Sequence, residues 1–102
     1  MSVLKVNNEN FESVKNSEKT VLLDFYADWC GPCRMVSPIV DQIAEENPQY
    51  LVGKINVDDA PELAQAFGVS SIPTLVVLKN GEVVNKSVGA RPKPQILALL
   101  EG

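Results

Sequence analysis

Apolar positions along the chain recur with two different periods, and the switches between them mark out a series of short elements. Val3 to Val6 reads as a first strand, and Asn8 as the N-cap of a helix that carries Phe11 and Val14 and ends near Asn16 and Ser17. Val21 to Tyr26 is apolar on both faces apart from Asp24, which predicts a central strand and not an edge. From Cys33 onward, Met35, Val36, Ile39, Val40, Ile43 and Ala44 recur at helical spacing until Asn47-Pro48 ends the run; Pro38 falls inside and is expected to kink the helix. Leu51 to Val57 predicts a third strand, and Pro61 to Phe67 a short helix opened by Asp58-Asp59-Ala60-Pro61 and closed by Gly68. Thr74 to Leu78 and Glu82 to Val88 flank Lys79-Asn80-Gly81, whose Asn-Gly step signals a hairpin. Pro92 to Leu100 supplies a last helix with Ile96, Leu97, Leu99 and Leu100 facing inward.

Strand and helix alternate three times before the hairpin, which implies an α/β fold with a mixed sheet sandwiched by helices. No linker, repeat or low-complexity tract interrupts the order, so 1–102 is expected to be one domain. Hydrophobic residues at 45% and charged residues at 22% exclude the disordered and fibrous classes. A net charge of -4 without a basic run argues against a nucleic-acid groove or an anionic membrane surface. The segment Met1-Ser2-Val3-Leu4-Lys5-Val6-Asn7-Asn8 lacks a signal-peptide pattern, and no stretch approaches the roughly 20 apolar residues of a membrane span. A cytoplasmic, reducing setting and a monomer are the expectations.

Chemistry concentrates in Trp29-Cys30-Gly31-Pro32-Cys33, which holds both cysteines of the chain and lies between the apolar strand and the longest helix. Residues i and i+3 at a helix start come close to the alpha-carbon separation a disulfide needs, about 4.4 to 6.8 Å. Pro32 suits a first helical turn, and Gly31 permits close approach. Cys30 then sits at the positive end of the helix dipole, where unpaired N–H groups favour a thiolate; it is the better nucleophile and is expected to be exposed, with Cys33 as the resolving thiol. Lowering a thiol pKa by about 1.5 units raises its thiolate fraction at neutral pH roughly 16-fold, while nucleophilicity falls about 5-fold, a net gain of only about 3-fold. Exposure, leaving-group quality and the intramolecular position of Cys33 must supply the rest.

Three other readings of the pair compete. A structural staple closing so short a ring is worth only about 2 kcal/mol, against about 4.7 for a 100-residue loop. A closed zinc or iron–sulfur site wants four ligands, and the chain offers two cysteines and no histidine, so only a dimer sharing two pairs or added carboxylate ligands could complete one; no metal is expected, and no bound cofactor is needed where a dithiol itself carries the two electrons. Unrelated buried thiols fit the CxxC spacing beside Gly-Pro least well.

With these residues in view, the chain resembles the thioredoxin family from about Val3 to Leu100. The resemblance rests on Asp24-Phe25-Tyr26-Ala27-Asp28-Trp29-Cys30-Gly31-Pro32-Cys33, on Pro38, Asn56-Val57-Asp58, Ile72-Pro73-Thr74, Lys79-Asn80-Gly81 and Gly89. It implies a thioredoxin fold, a five-stranded mixed sheet in the order 1-3-2-4-5 flanked by four helices. It further implies reduction of protein disulfides through a reversible Cys30/Cys33 dithiol–disulfide, with electrons returned by an NADPH-dependent flavoprotein, thioredoxin reductase. Substrates of the ribonucleotide reductase, peroxiredoxin and methionine sulfoxide reductase types follow from the same resemblance.

Several further residues read differently with and without it. By its own chemistry Asp24 is a strand-end aspartate bonded to backbone; the resemblance instead implies a buried carboxyl with a raised pKa that relays the Cys33 proton, with Lys54 on the neighbouring strand beside it. Lys54 alone reads equally as a surface lysine. Pro73 by base rate is trans, since about 5 to 6% of X-Pro bonds are cis, whereas the resemblance implies a cis proline packed on the cysteines that keeps metals away. It also implies that the Ile72 backbone pairs with an extended substrate strand. Trp29 suits either a core or a contact surface; the resemblance places it with Gly31, Pro32, Val57, Ile72, Val88, Gly89 and Ala90 in a shallow docking patch. Asp28, Asp58 and Asp59 read as solvated charges. Tyr26, Arg34 and Ser70 depart from the residues many members carry, which bears on fine redox tuning and partner choice. The competing functions are a disulfide oxidant or isomerase, disfavoured by Gly-Pro between the cysteines and the absence of histidine, and a binding subunit of a larger assembly that does not use its thiols.

Overall fold

In the computed structural model, which describes residues 2–102, the elements run β1 (Val3–Lys5), α1 (Phe11–Lys15), β2 (Thr20–Tyr26), α2 (Gly31–Glu46), β3 (Tyr50–Asn56), α3 (Pro61–Ala66), β4 (Thr74–Lys79), β5 (Glu82–Val88) and α4 (Lys93–Glu101). The strands form one five-stranded sheet in the order β1-β3-β2-β4-β5. β1, β3 and β2 are parallel, while β4 runs antiparallel to both β2 and β5. β2 lies in the middle, as its two apolar faces require: a strand covered on both sides cannot alternate apolar with polar.

The period-two alternation of β2 divides the core into two layers. Val21, Leu23 and Phe25 point toward α1 and α3 and pack with Val14, Leu63 and Ala64. There Phe67 lies against Phe11 and Phe25, both at 5.6 Å between ring centres. Leu22, Val52, Leu75 and Val77 face the opposite layer, where α2 contributes Val36, Val40 and Ile43 and α4 contributes Ile96 and Leu100. Asp24 shares this second face because it stands two residues after Leu22.

Local details depart from the periodic reading in three places. Asn8 does not cap α1; the cap position is Asn10, and the entry is organised by Asn7, whose side chain accepts from the N–H groups of Glu9 and Asn10 while its own N–H donates to Asn10 Oδ1. The Asn8 amide donates instead to Glu62. Met35 is 68% exposed, since at about 100° per residue it falls a full step outside the stripe that Val36, Val40 and Ile43 bury. Leu97 and Leu99 are only half-buried, leaving Ile96 and Leu100 as the α4 core residues. The Asn-Gly hairpin forms as expected, with Asn80 at φ 54° and Gly81 at φ 81°, the left-handed pair of a tight two-residue turn. α2 runs through Pro38 without ending there.

Gly53, on β3 between β1 and β2, is a close-approach position: a β-carbon there would lie 2.5 Å from Val6 Cγ2 and 3.5 Å from the Leu4 carbonyl. Gly53→Ala is expected to cost about 1 to 3 kcal/mol through this overpacking. Urea denaturation checks it, and an unchanged midpoint would mean that β1 moves away freely.

Candidate active site

The end of β2 is coupled to the start of α2 by a short turn, and that junction builds the site. Cys30 occupies the N-cap of α2 in extended conformation, φ -89° and ψ 114°, and the Cys33 N–H donates to its sulfur at 3.2 Å. Pro32 stands in the first turn, where its missing N–H leaves no orphan. The two cysteines are bonded, with alpha carbons 5.3 Å apart. One donated N–H and the helix N-terminus are therefore aimed at the Cys30 sulfur, an arrangement that favours negative charge there.

Cys30 is not the exposed residue that the sequence suggests. It is 5% accessible and Cys33 4%, because Ala27, Tyr26, Val57 and Ile72 pack around the pair. The Cys30 sulfur lies 3.8 Å from the Ile72 carbonyl oxygen, so the loop before β4 roofs it on one side. The Ile72–Pro73 bond in this loop is cis and Pro73 is buried. Its carbonyl accepts from Gly89 N–H at 2.8 Å, which ties the Val88-Gly89-Ala90 segment to the same rim. Gly31 and Pro32 are exposed above the sulfurs, and Val88 and Ala90 are exposed beside them. Trp29 is 68% exposed, which removes the core reading. Its indole N–H donates to Asp58 Oδ2 at 2.9 Å, so Asp58, read as a solvated charge from sequence, anchors the largest side chain of the rim. An apolar groove lined by Met35, Ile39, Ala90 and Pro92 runs on from this rim along α2. A shallow cleft lined by Tyr26, Asp28, Cys33, Arg34 and Ser37 opens on its other side.

Asp24, on the face of β2 that α2 and α4 cover, is 1% accessible, and its Oδ1 is buried and without a hydrogen-bond partner. The reading of a strand-end aspartate bonded to backbone is thus excluded for that oxygen. Burial raises its pKa to about 7, against the lowering field of Lys54 and with a further raising push from Asp41. Lys54 is in register with Asp24 on β3 and only 17% accessible, so it is not a surface lysine. Its ammonium, however, binds α2: it lies 2.7 Å from Asp41 Oδ1 and donates to Ser37 Oγ at 2.6 Å. Ser37 and Asp41 were not singled out in the sequence, although they follow Cys33 at four-residue steps and so share its stripe of the helix. Among the described residues, no cluster of His, Cys, Asp and Glu side chains is placed to hold a metal, and no helix is long and apolar enough to cross a membrane.

Asp24 couples the site to stability. A carboxyl that titrates near 3.8 unfolded and near 7 folded binds its proton more tightly in the native state. Its contribution is complete below about pH 4 and is lost as pH rises through 7, a swing of roughly 4 kcal/mol. Asp24→Asn is therefore expected to be more stable than the parent at pH 8, with the gap closing toward pH 4. Denaturation midpoints of both proteins across that range check the sign, and a gap that widens on acidification would refute the assignment.

Comparison with known proteins agrees with this geometry. The family model described as Thioredoxin matches residues 2–102. Thioredoxin of Pyropia yezoensis is 50% identical over 98% of this chain and 95% of its own. That of Haemophilus influenzae is 50% identical over 92% and 90%, and that of Bacillus subtilis 46% identical over 98% and 96%. A solved mutant thioredoxin from Halobacterium salinarum superposes with a TM-score of 0.92 at 40% identity, covering 98% of this chain and 88% of that one. With a vicinal cysteine pair capping α2 at the end of the central strand, and these relatives matching along nearly its whole length, the chain belongs to the thioredoxin family and is a protein-disulfide reductase that acts by thiol–disulfide exchange.

Proposed function

We propose that Cys30 attacks and Cys33 resolves, in a cycle recharged by an NADPH-dependent flavoprotein, thioredoxin reductase. The observation that carries this assignment of roles is the N–H of Cys33 held on the Cys30 sulfur at the head of α2. In the forward cycle the Cys30 thiolate attacks one sulfur of a substrate disulfide, and the other leaves as a thiolate that takes a proton from water. Cys33, once deprotonated, attacks Cys30 and expels the second substrate thiolate. Two electrons pass to the substrate, and Cys30 and Cys33 end bonded, the form seen here.

Asp24 is the group suited to take the Cys33 proton. Its carboxyl is buried in the layer that α2 covers and its pKa is raised to about 7, near neutrality, where an acid–base group changes state most readily. Lys54 moderates its charge. Pro73 packs on the sulfurs and keeps the Ile72 backbone available to an extended substrate segment. Trp29, Gly31, Pro32, Val57, Val88, Gly89 and Ala90 provide the contact surface, most of it backbone or small side chains, which fits a broad range of protein disulfides. We extend the same reading to residues 1–102 acting as one domain, a monomer, in the cytoplasm, on substrates of the ribonucleotide reductase, peroxiredoxin and methionine sulfoxide reductase types.

Trapping tests the roles. With a disulfide-containing protein substrate, Cys33→Ser is expected to accumulate a mixed disulfide through Cys30, and Cys30→Ser to give none, read by mass spectrometry of the adduct. A stable adduct on Cys33 in Cys30→Ser would reverse the assignment. Equilibration of the Cys30/Cys33 pair with thiol buffers then separates reductase from oxidant: a potential more negative than the cytosolic glutathione poise is expected, and one well above it would favour an oxidant or isomerase.

A further inference from the structure

Outside the cysteines, a partly buried polar cluster surrounds Lys54. An ammonium on β3 beside a buried carboxylate oxygen without a partner would ordinarily be drawn to that oxygen. Here the Lys54 ammonium instead reaches across to α2, where Asp41 Oδ1 and Ser37 Oγ hold it at 2.7 and 2.6 Å. The Ser37 carbonyl oxygen lies at 3.5 Å, a weaker third contact. Asp41 is half exposed and touches neither cysteine, so any effect it has on the chemistry passes through Lys54 or through its own charge.

We propose that Asp41 is a positioning residue for disulfide exchange: assisted by Ser37, it anchors the Lys54 ammonium on α2 and so limits how much positive charge the buried Asp24 carboxylate feels. This rests on the reading of Asp24 as the proton acceptor for Cys33. The groups facing Asp24 can be enumerated. β3 presents Lys54, α2 presents Asp41, its Cys33 being disulfide-bonded and so not titratable, and Tyr26 stands two residues on along β2 itself. β4 contributes Leu75 and α4 contributes Ile96 and Leu100, none of them titratable. Among the charged groups, Lys54 favours the Asp24 carboxylate and Asp41 disfavours it.

Neutralising Asp41 therefore has a definite sign. Its own repulsion on the Asp24 carboxylate disappears, and the freed Lys54 can approach Oδ1; both changes favour ionisation. A role confined to helix packing would leave the titration of Asp24 where it is. If positioning matters, the shift must also depend on Lys54 being present.

The experiment is a pH titration of the Asp24 side-chain carboxyl carbon by NMR in the oxidised protein, in the parent, Asp41→Asn, Asp41→Glu, Lys54→Met and the Lys54→Met/Asp41→Asn pair. Asp41→Asn is expected to lower the midpoint by roughly half a pH unit, Asp41→Glu to leave it near the parent, and the Asp41→Asn shift to shrink at least twofold in the Lys54→Met background. An unchanged or raised midpoint in Asp41→Asn would overturn the proposal, and so would a shift equally large without Lys54, since Asp41 would then act as a bare charge. The pH–rate profile of disulfide reduction by the same proteins separates this from the underlying reading. A carboxyl midpoint that falls while the rate profile stays with the parent upholds the anchoring of Lys54 by Asp41 and removes the proton-transfer role of Asp24.

Discussion

Burial of β2 on both faces is the constraint from which the site follows. A strand flanked by β3 and β4 and covered by helical layers above and below must be apolar almost throughout, and β2 is, from Val21 to Phe25, except for Asp24. Alternation then leaves Asp24 no choice of face: it points with Leu22 into the α2–α4 layer. The same strand delivers the chain to the N-terminus of α2 within a few residues, so the carboxyl and the cysteine pair come from one continuous piece of backbone. Moving β2 to an edge would hydrate Asp24 and expose the flank of the disulfide together.

Two electrostatic devices act on this frame. A charge-assisted hydrogen bond is worth about 1.5 to 3 kcal/mol, and the Cys33 N–H on the Cys30 sulfur is of that kind once the sulfur is a thiolate. Desolvation acts on Asp24 in the opposite sense, holding a proton that solvent would remove. One group is made a better anion and the other a worse one, within a single layer of the protein.

Covering the cysteines changes how a partner must approach. Cys30 is roofed by Ile72 and flanked by Val57, while its chain neighbours Trp29, Gly31 and Pro32 are exposed. Gly31 has open space where a side chain would begin, and the indole of Trp29 is held in place by Asp58. The rim is thus made of one anchored aromatic, small residues and exposed backbone.

Local spacing was enough to read the order of elements, the central place of β2, the hairpin at Asn80-Gly81 and the pairing of Cys30 with Cys33, because each depends on residues within a turn or two of one another. The same reasoning reads Asn8 as the cap where Asn10 stands, and counts Met35 with the apolar positions of α2 although it is exposed, because a short or broad pattern does not fix its own register. The resemblance to a family supplied the cis proline and the interior carboxyl, which residue chemistry alone argued against. Neither route showed that Cys30 is covered, that Trp29 is tied to Asp58, or that Lys54 turns from Asp24 to Ser37 and Asp41. Those contacts join residues from separate elements, and which of several polar partners a side chain takes is decided only when strands and helices are packed at fixed distances. Periodicity says which face a residue occupies; only the assembled layers say what stands opposite it.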